Sequence, residues 1–340
     1  MKHRVLVWSV MLCIVVLCAG VVAGCANKAD NASTTDTAQT ADTTEPAADG
    51  AAESSIPVTQ VFVPAEWVKS VVDGNEAQSQ TAVIVEASWG EAGDDYKKAH
   101  IPGALHLNTD LIEEDKYWNI RTGDEIAQVM ADFGITKTTP VIVYGSDSGA
   151  DRFAFVCLWA GVDEVHVLDG GYAAWTAAGY PTSDAAETAN AAPDFGATIP
   201  AHPEYVLAMP AEVIAAQADP NFRLVSIRSW DEFIGKTSGY DYIKRAGEPK
   251  GAVWGHDEAD YYDSDGLVKS LDSIVTDYWE EWDVGPDNDI AFYCGTGWRA
   301  TVPWLLCYQN GWKNIKLYDG GWFVWQMDSE NPVQTGDPRS

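Results

Sequence analysis

Short apolar runs separated by mixed polar stretches set the frame of this chain. Residues 83–87, 140–144 and Val165–Leu168 each place four or five β-rich residues between turn formers. Residues 224–228, Asp289–Tyr293 and Ile315–Tyr318 do the same later in the chain. Helical patterns lie between these runs, among them residues 300–309, which follow directly on Asp289–Tyr293. Strands alternating with helices predict α/β units built on a parallel sheet.

The same pattern is written twice. Pro64-Ala65-Glu66 recurs as Pro210-Ala211-Glu212, each opening a helix with proline and an early acid. His100-Ile101-Pro102-Gly103-Ala104 corresponds to Glu248-Pro249-Lys250-Gly251-Ala252, and the helical cysteines Cys157 and Cys307 fall into register. Asp169-Gly170-Gly171-Tyr172 with Trp175 returns as Asp319-Gly320-Gly321-Trp322 with Trp325. The offset stays at about 141 to 150 residues throughout, which predicts two copies of one domain. The expected organisation is a first domain over residues 56–182, a connector over 183–204 rich in Ala, Pro, Thr and Asp, and a second domain over 205–332.

The N-terminus reads differently. Lys2, His3 and Arg4 precede an apolar stretch over residues 5–22, which ends in Val22-Ala23-Gly24-Cys25. A charged start, an apolar centre and small residues at a cleavage point form a secretory signal. The segment resembles the lipobox of bacterial lipoproteins, which implies removal of residues 1–24 and a diacylglycerol on Cys25. The alternative is an uncleaved anchor, since the apolar run nearly spans a bilayer. Residues 25–55 hold no aromatic side chain and read as a disordered tether, whose length spans on the order of 30 Å. The expected location is extracytoplasmic, on a bacterial membrane.

Composition narrows the partners. The formal charge of −30 becomes −32 when Lys2 and Arg4 leave with the signal. Such a chain is repelled by nucleic acid and by anionic lipid, so any membrane attachment must come from the lipid on Cys25. Of the six cysteines, Cys13 and Cys18 fall in the signal and Cys25 at its end. Cys157, Cys294 and Cys307 remain, an odd number that argues against a disulfide framework outside the cytoplasm. No clustered His and Cys spacing suggests a metal. The run Asp263-Ser264-Asp265-Gly266, with Asp257 and Asp260, lacks a calcium loop's spacing and closing glutamate and reads as a polar turn.

The candidate chemistry sits at Cys294-Gly295-Thr296-Gly297-Trp298-Arg299, between a buried strand and a helix start. Alternate glycines let the backbone curl so that successive N–H groups face one point, and the helix N-terminus adds positive potential there. A thiol in such a nest should ionise below the roughly 8.5 of a free cysteine, and the thiolate is the attacking form. The bland reading is a small buried apolar cysteine. Cys157 and Cys307, at one repeat position inside apolar helices, are expected to be packing residues.

Taken together, these segments make the chain resemble a tandem rhodanese-like sulfurtransferase over roughly residues 56–180 and 205–330. The resemblance implies that each copy is a small, mainly parallel sheet flanked by helices, and that the six-residue loop cradles a cysteine persulfide. Cys294 matches the nucleophile, and the amides of Gly295, Thr296, Gly297, Trp298 and Arg299 match the cradle. The thiolate would take the outer sulfur of a small donor of thiosulfate, mercaptopyruvate or polysulfide type. A thiol or cyanide-like acceptor would then restore it, with no cofactor needed. In the first copy Gly145 stands at the nucleophile position, so that copy is expected to be catalytically silent, with His100 a structural hydrogen-bonding residue.

The chain departs from the family in its substrate cations. Thr296 replaces the basic loop residue of thiosulfate-using members and looks more like the mercaptopyruvate-using ones. A substrate-binding arginine of both types falls at Glu232. Arg299 is the cation left in the loop, Lys244 and Arg245 are candidate recruits, and Arg228 is expected to support structure. Trp298 either lines the pocket mouth or packs on the first copy. Two rivals stand beside sulfur transfer: a non-catalytic sulfur carrier, and a phosphatase or arsenate reductase on the same scaffold. The latter uses one more residue between Cys and Arg, whereas Arg299 is the fifth residue after Cys294.

Overall fold

The apolar runs become the central strands of two sheets. A computed structural model describes residues 56–340. The signal, Cys25 and the tether therefore lie outside the described residues. The first sheet is built from β1 (Phe62–Val63), β2 (Val83–Ser88), β3 (Leu105–Asn108), β4 (Val141–Tyr144) and β5 (Val165–Leu168). Its spatial order is β1-β5-β4-β2-β3, every pair parallel. The second contains β6 (Val206–Leu207), β7 (Phe222–Ser226), β9 (Val253–Trp254), β10 (Asp289–Tyr293) and β11 (Ile315–Tyr318), ordered β6-β11-β10-β7-β9 and again parallel. The duplication is therefore repeated strand for strand. β8 (Glu248–Pro249) and β12 (Val333–Gln334) form a separate antiparallel ribbon.

Strands covered by helices on both faces read as continuous apolar runs. All four residues of β4 and of β5 are buried, as are the last four of β10. β7 runs two residues earlier than the expected 224–228. Ser229 caps the next short helix, so the chain bends away after Ser226 and Arg228 leaves the ladder.

The two copies meet through the helices that follow β4 and β10. Gly149–Ala160 is buried along its whole length, and residues 301–307 of Thr301–Gln309 are buried as well. A helix apolar all round belongs inside a molecule, and here each covers the other. Phe155 meets Trp304 edge to face, with centroids 4.6 Å apart. Cys157 and Cys307 are both fully buried in these helices, and burial pushes both thiols up. The connector is packed rather than loose: Phe195 is buried, Lys137 N–H donates to Phe195 O (2.8 Å), and Ala192 N–H donates to Ala131 O (2.8 Å). The described residues accordingly form one compact unit, and no helix among them is long and apolar enough to cross a membrane.

Candidate active site

Cys294 stands where β10 ends, in the middle of the second sheet and beside β7 and β11. The following loop is shaped by the Asp-Gly-Gly turn after β11. Trp322 N–H donates to Cys294 O (2.9 Å) and Phe323 N–H to Gly295 O (3.0 Å), which fixes the loop carbonyls toward that turn. The N–H groups of residues 295–299 donate to no acceptor among the described residues, until Thr301 N–H closes on Trp298 O (2.9 Å). A run of uncommitted main-chain donors beside a cysteine is what an anion nest requires.

Two glycines make this possible. Gly297 has φ +91°, and a Cβ there would come within 3.1 Å of Arg152 and Asp319. Gly321 has φ +55°, and a Cβ there would stand 2.4 Å from Gly295 O. Gly321→Ala therefore combines a left-handed backbone with a main-chain clash and should destabilise the protein by about 2–3 kcal/mol. Urea unfolding would read that loss.

Cys294 itself is only 1% exposed. Its roof is aromatic. The Tyr240 ring lies over Gly295, close enough that a Cβ on Gly295 would come within 2.3 Å of it. Tyr242 meets Trp118 edge to face at 4.9 Å, and Trp118 stacks on Phe323 at 4.6 Å. Trp118 holds a left-handed φ of +57°, which is strained for a bulky residue, and its carbonyl accepts from Arg152 Nη2 (3.4 Å). Burial, followed by the Cys294 charge, pushes the Tyr242 hydroxyl up to about 12 and the Tyr240 hydroxyl higher still. Both remain protonated donors at neutral pH.

Arg299 is not a free cation. Its Nη1 and Nη2 donate to the two carboxylate oxygens of Glu232 at 3.0 Å each, Nη2 also donates to Tyr240 (2.9 Å), and Asp257 lies 3.9 Å away. Burial would raise the Glu232 carboxyl, but the hydrogen bonds and charge of Arg299, then Arg228, bring it down to about 2. Glu232 is also fixed by a capping box with Ser229, whose N–H and hydroxyl both donate to Oε2 (3.0 Å each). Arg228, fully buried, is held by Glu232, Glu248, Gly247 O and Ser238 O.

The remaining expected residues separate. Trp298 turns to the first copy, where Nε1 donates to Glu113 Oε1 (2.8 Å) and Oε2 (3.0 Å). Lys244 lies exposed with Nζ donating to Asp241 O (2.7 Å), and Arg245 offers its carbonyl to Trp322 Nε1 (2.8 Å). His100 is buried, with Nδ1 2.8 Å from Tyr96 O. Asp263 Oδ1 accepts from Asp265 and Leu267 N–H (2.8 and 3.0 Å), the polar turn anticipated there.

Sequence reasoning missed the network that backs the loop from the first copy. Arg152 is fully buried, with Nε donating to Glu113 Oε1 (2.9 Å). Its Nη2 lies 2.6 Å from Asp319 Oδ1, an ion pair by distance without a linear hydrogen bond. Ile120 N–H donates to Asp319 Oδ2 (2.8 Å) and Asn119 Nδ2 to Ala208 O (3.0 Å). Burial raises the Glu113 carboxyl to about 7 against the pull of Arg152 and Trp298. Nothing in spacing pairs Glu113, Arg152 and Asp319. The capping box at Ser229-x-x-Glu232 was readable, whereas Tyr240 and Tyr242 carry no signal of their own.

The first copy repeats the scaffold without the thiol. Tyr172 N–H donates to Gly145 O (3.3 Å), and a Cβ on Gly171 would again stand 2.4 Å from that oxygen. Known proteins are similar to this chain over both copies. The model of the rhodanese-like domain matches residues 65–178 and 209–328. The thiosulfate sulfurtransferase YnjE of Escherichia coli is 40% identical over 294 residues, covering 83% of this chain and 67% of that one. Its crystal structure superposes with a TM-score of 0.76, over 81% of this chain and 68% of that one. An anaerobic ergothioneine biosynthesis enzyme from Chlorobium limicola, solved with its natural substrate trimethyl histidine, is 35% identical, with TM-score 0.77 over 82% and 70% of the two chains. EanB, solved with a cysteine persulfide and ergothioneine, is 35% identical, with TM-score 0.77 over 82% and 71%. By two matched domains and by this identity, the chain belongs to the rhodanese-like family.

Proposed function

We propose that this rhodanese-family sulfurtransferase moves a sulfane sulfur from a small donor to a thiophilic acceptor through a persulfide on Cys294. The observation that carries the reading is the thiol at the end of β10 followed by N–H donors that no group among the described residues uses. In the first half-reaction the Cys294 thiolate attacks the outer sulfur of the donor. The S–S bond of the persulfide forms, the donor's own sulfur bond breaks, and its electron pair leaves with the remainder. The loop amides then hold the terminal sulfur anion, and the acceptor takes that sulfur and restores the thiolate. Steady-state assays with thiosulfate, 3-mercaptopyruvate and polysulfide as donors and cyanide or a thiol as acceptor test it. Absence of transfer from every donor would leave the carrier reading in its place. Phosphate-ester turnover outpacing sulfur transfer would favour the phosphatase reading.

Donor choice follows from the charges. Arg299 is occupied by Glu232, so anionic donors meet a loop whose only cation is already neutralised. Lys244 and Arg245, on the segment that carries Tyr240, supply longer-range attraction. Glu232→Gln keeps the side chain's shape and releases part of the guanidinium, and should raise kcat/KM for thiosulfate by about tenfold, the worth of one charge-assisted hydrogen bond. A fall in that ratio would refute the assignment of Arg299 as a masked substrate cation.

The same charges favour a second reading for the acceptor. A site roofed by Tyr240 and Tyr242, with no uncommitted cation beside Cys294 among the described residues, suits a neutral or cationic heteroaromatic acceptor better than an anion. Trimethyl histidine, bound by the Chlorobium neighbour, is the compound to test. A sulfur-bearing product detected by mass would support it, and unchanged trimethyl histidine beside active transfer to thiols would exclude it.

The setting remains that of the sequence: a mature chain held outside the cytoplasm by a diacylglycerol on Cys25. Radiolabelled fatty acid should enter the wild-type chain and not Cys25→Ala.

A further inference from the structure

The first copy keeps the strand, loop and helix of the second but reverses its electrostatics. A cleft of about 640 Å³ opens beside Gly145 and reaches residues 257–268 of the second copy, a volume in the ordinary range for small-molecule sites. Five carboxylates line it, from Asp147, Asp151, Asp169, Asp257 and Glu258, and no lysine, arginine or histidine does. Phe62, Tyr172 and Tyr262 supply aromatic wall. No residue from 294 to 299 lines it, although Arg299 of the cysteine loop lies 3.9 Å from Asp257 on its wall.

Four of the carboxylates have partners in the fold. Asp147 Oδ1 accepts from Gly149 N–H (2.9 Å) and Asp169 Oδ1 from Val268 N–H (2.9 Å), while the Arg299 charge and Ser148 act on Glu258 against its burial. Asp257 lies 3.9 Å from Arg299. Asp151 is different. It is 6% exposed, and its Oδ1 is buried with no hydrogen-bond partner among the described residues. The Tyr172 hydroxyl also lacks a partner. Burial, followed by the charges of Glu258, Asp169 and Asp147, holds the Asp151 carboxyl well above the usual carboxylate range. A buried acceptor left open destabilises a fold, so its retention on a cleft wall calls for a donor from outside.

We propose that this cleft binds a protonated amine, whose N–H groups fill the open acceptor of Asp151 while its hydrocarbon stem lies along Phe62, Tyr172 and Tyr262. A metal ion is not what the geometry selects, because no three His, Cys, Asp or Glu side chains among the described residues converge on one point. A quaternary ammonium would satisfy the charge but leave Asp151 Oδ1 without a hydrogen bond. Several carboxylates set apart along one cleft favour a short diamine.

Calorimetric titration of the full chain at about 0.15 M salt, where surface attraction is screened, tests this with 1,4-diaminobutane, 1,4-butanediol and Ca²⁺. The expected result is saturable one-site binding of the diamine, no binding of the diol, and an affinity unchanged in Cys294→Ser. Asp151→Asn keeps the shape and should weaken the diamine at least about tenfold. Tyr172→Phe, which deletes only the open hydroxyl, should weaken it several-fold. Equal affinity in both variants, no saturable binding by the wild type, or Ca²⁺ displacing the diamine from the same site would each overturn the proposal.

Discussion

Cys294→Ser reduces sulfur transfer by on the order of 10³-fold or more while leaving the protein folded. The magnitude follows from covalent catalysis, since a serine hydroxyl in the same nest stays protonated at neutral pH and carries no sulfur. Folding survives because the substitution is nearly isosteric and the uncommitted N–H groups of residues 295–299 can bond the new oxygen. Cys157→Ser and Cys307→Ser should behave in the opposite way. Each buries a hydroxyl inside an apolar helix pair, which destabilises by about 1–3 kcal/mol, and neither touches the loop. Transfer assays and thermal melts on the three variants give a pattern that a general loss of packing cannot produce.

Arg152→Met carries the largest expected effect on stability. It leaves Glu113 and Asp319 facing each other in the interior, 6% and 1% exposed, without their cation. Removing one member of a buried ion set typically destabilises by about 3–5 kcal/mol, which in a unit of this size lowers Tm by about 10 °C. The pH dependence has a definite sign. Glu113 titrates at about 7 in the native protein against 4.5 ordinarily, so the native state holds its proton more tightly between those values. Stability from this group therefore declines as pH rises from 4.5 to about 7, and Arg152→Met should steepen that decline. Glu113→Gln added to Arg152→Met should recover part of the loss. Melts across pH 5 to 8 check both, and transfer assays should show the loop weakened, because Arg152 backs Gly297 and Glu113 holds Trp298.

These two predictions draw on different kinds of information. The thiol and its glycines were legible because they depend on neighbours in sequence: an apolar strand, a curl of backbone, a helix start. The duplication was legible for the same reason, because each Asp-Gly-Gly turn recurs at a fixed offset after a strand. Arg152, Glu113 and Asp319 were not legible. Their partnership joins residues far apart in the chain, and each alone reads as a surface charge. The roof of Tyr240, Tyr242 and Trp118 escaped for the same cause, and with it the near-complete burial of Cys294. The end of β7 was misjudged because Arg228 follows a β-rich run, while the cap at Ser229 had already turned the chain. Glu232 sat in a readable capping box, yet its second role, occupying Arg299, needed the fold.

Intact-mass measurement of the full chain after exposure to thiosulfate, 3-mercaptopyruvate or polysulfide tests the central claim most directly. The account predicts a gain of one sulfur atom, located on Cys294 and discharged by a thiol acceptor. An unchanged mass with every donor, or the same gain in Cys294→Ser, would contradict it.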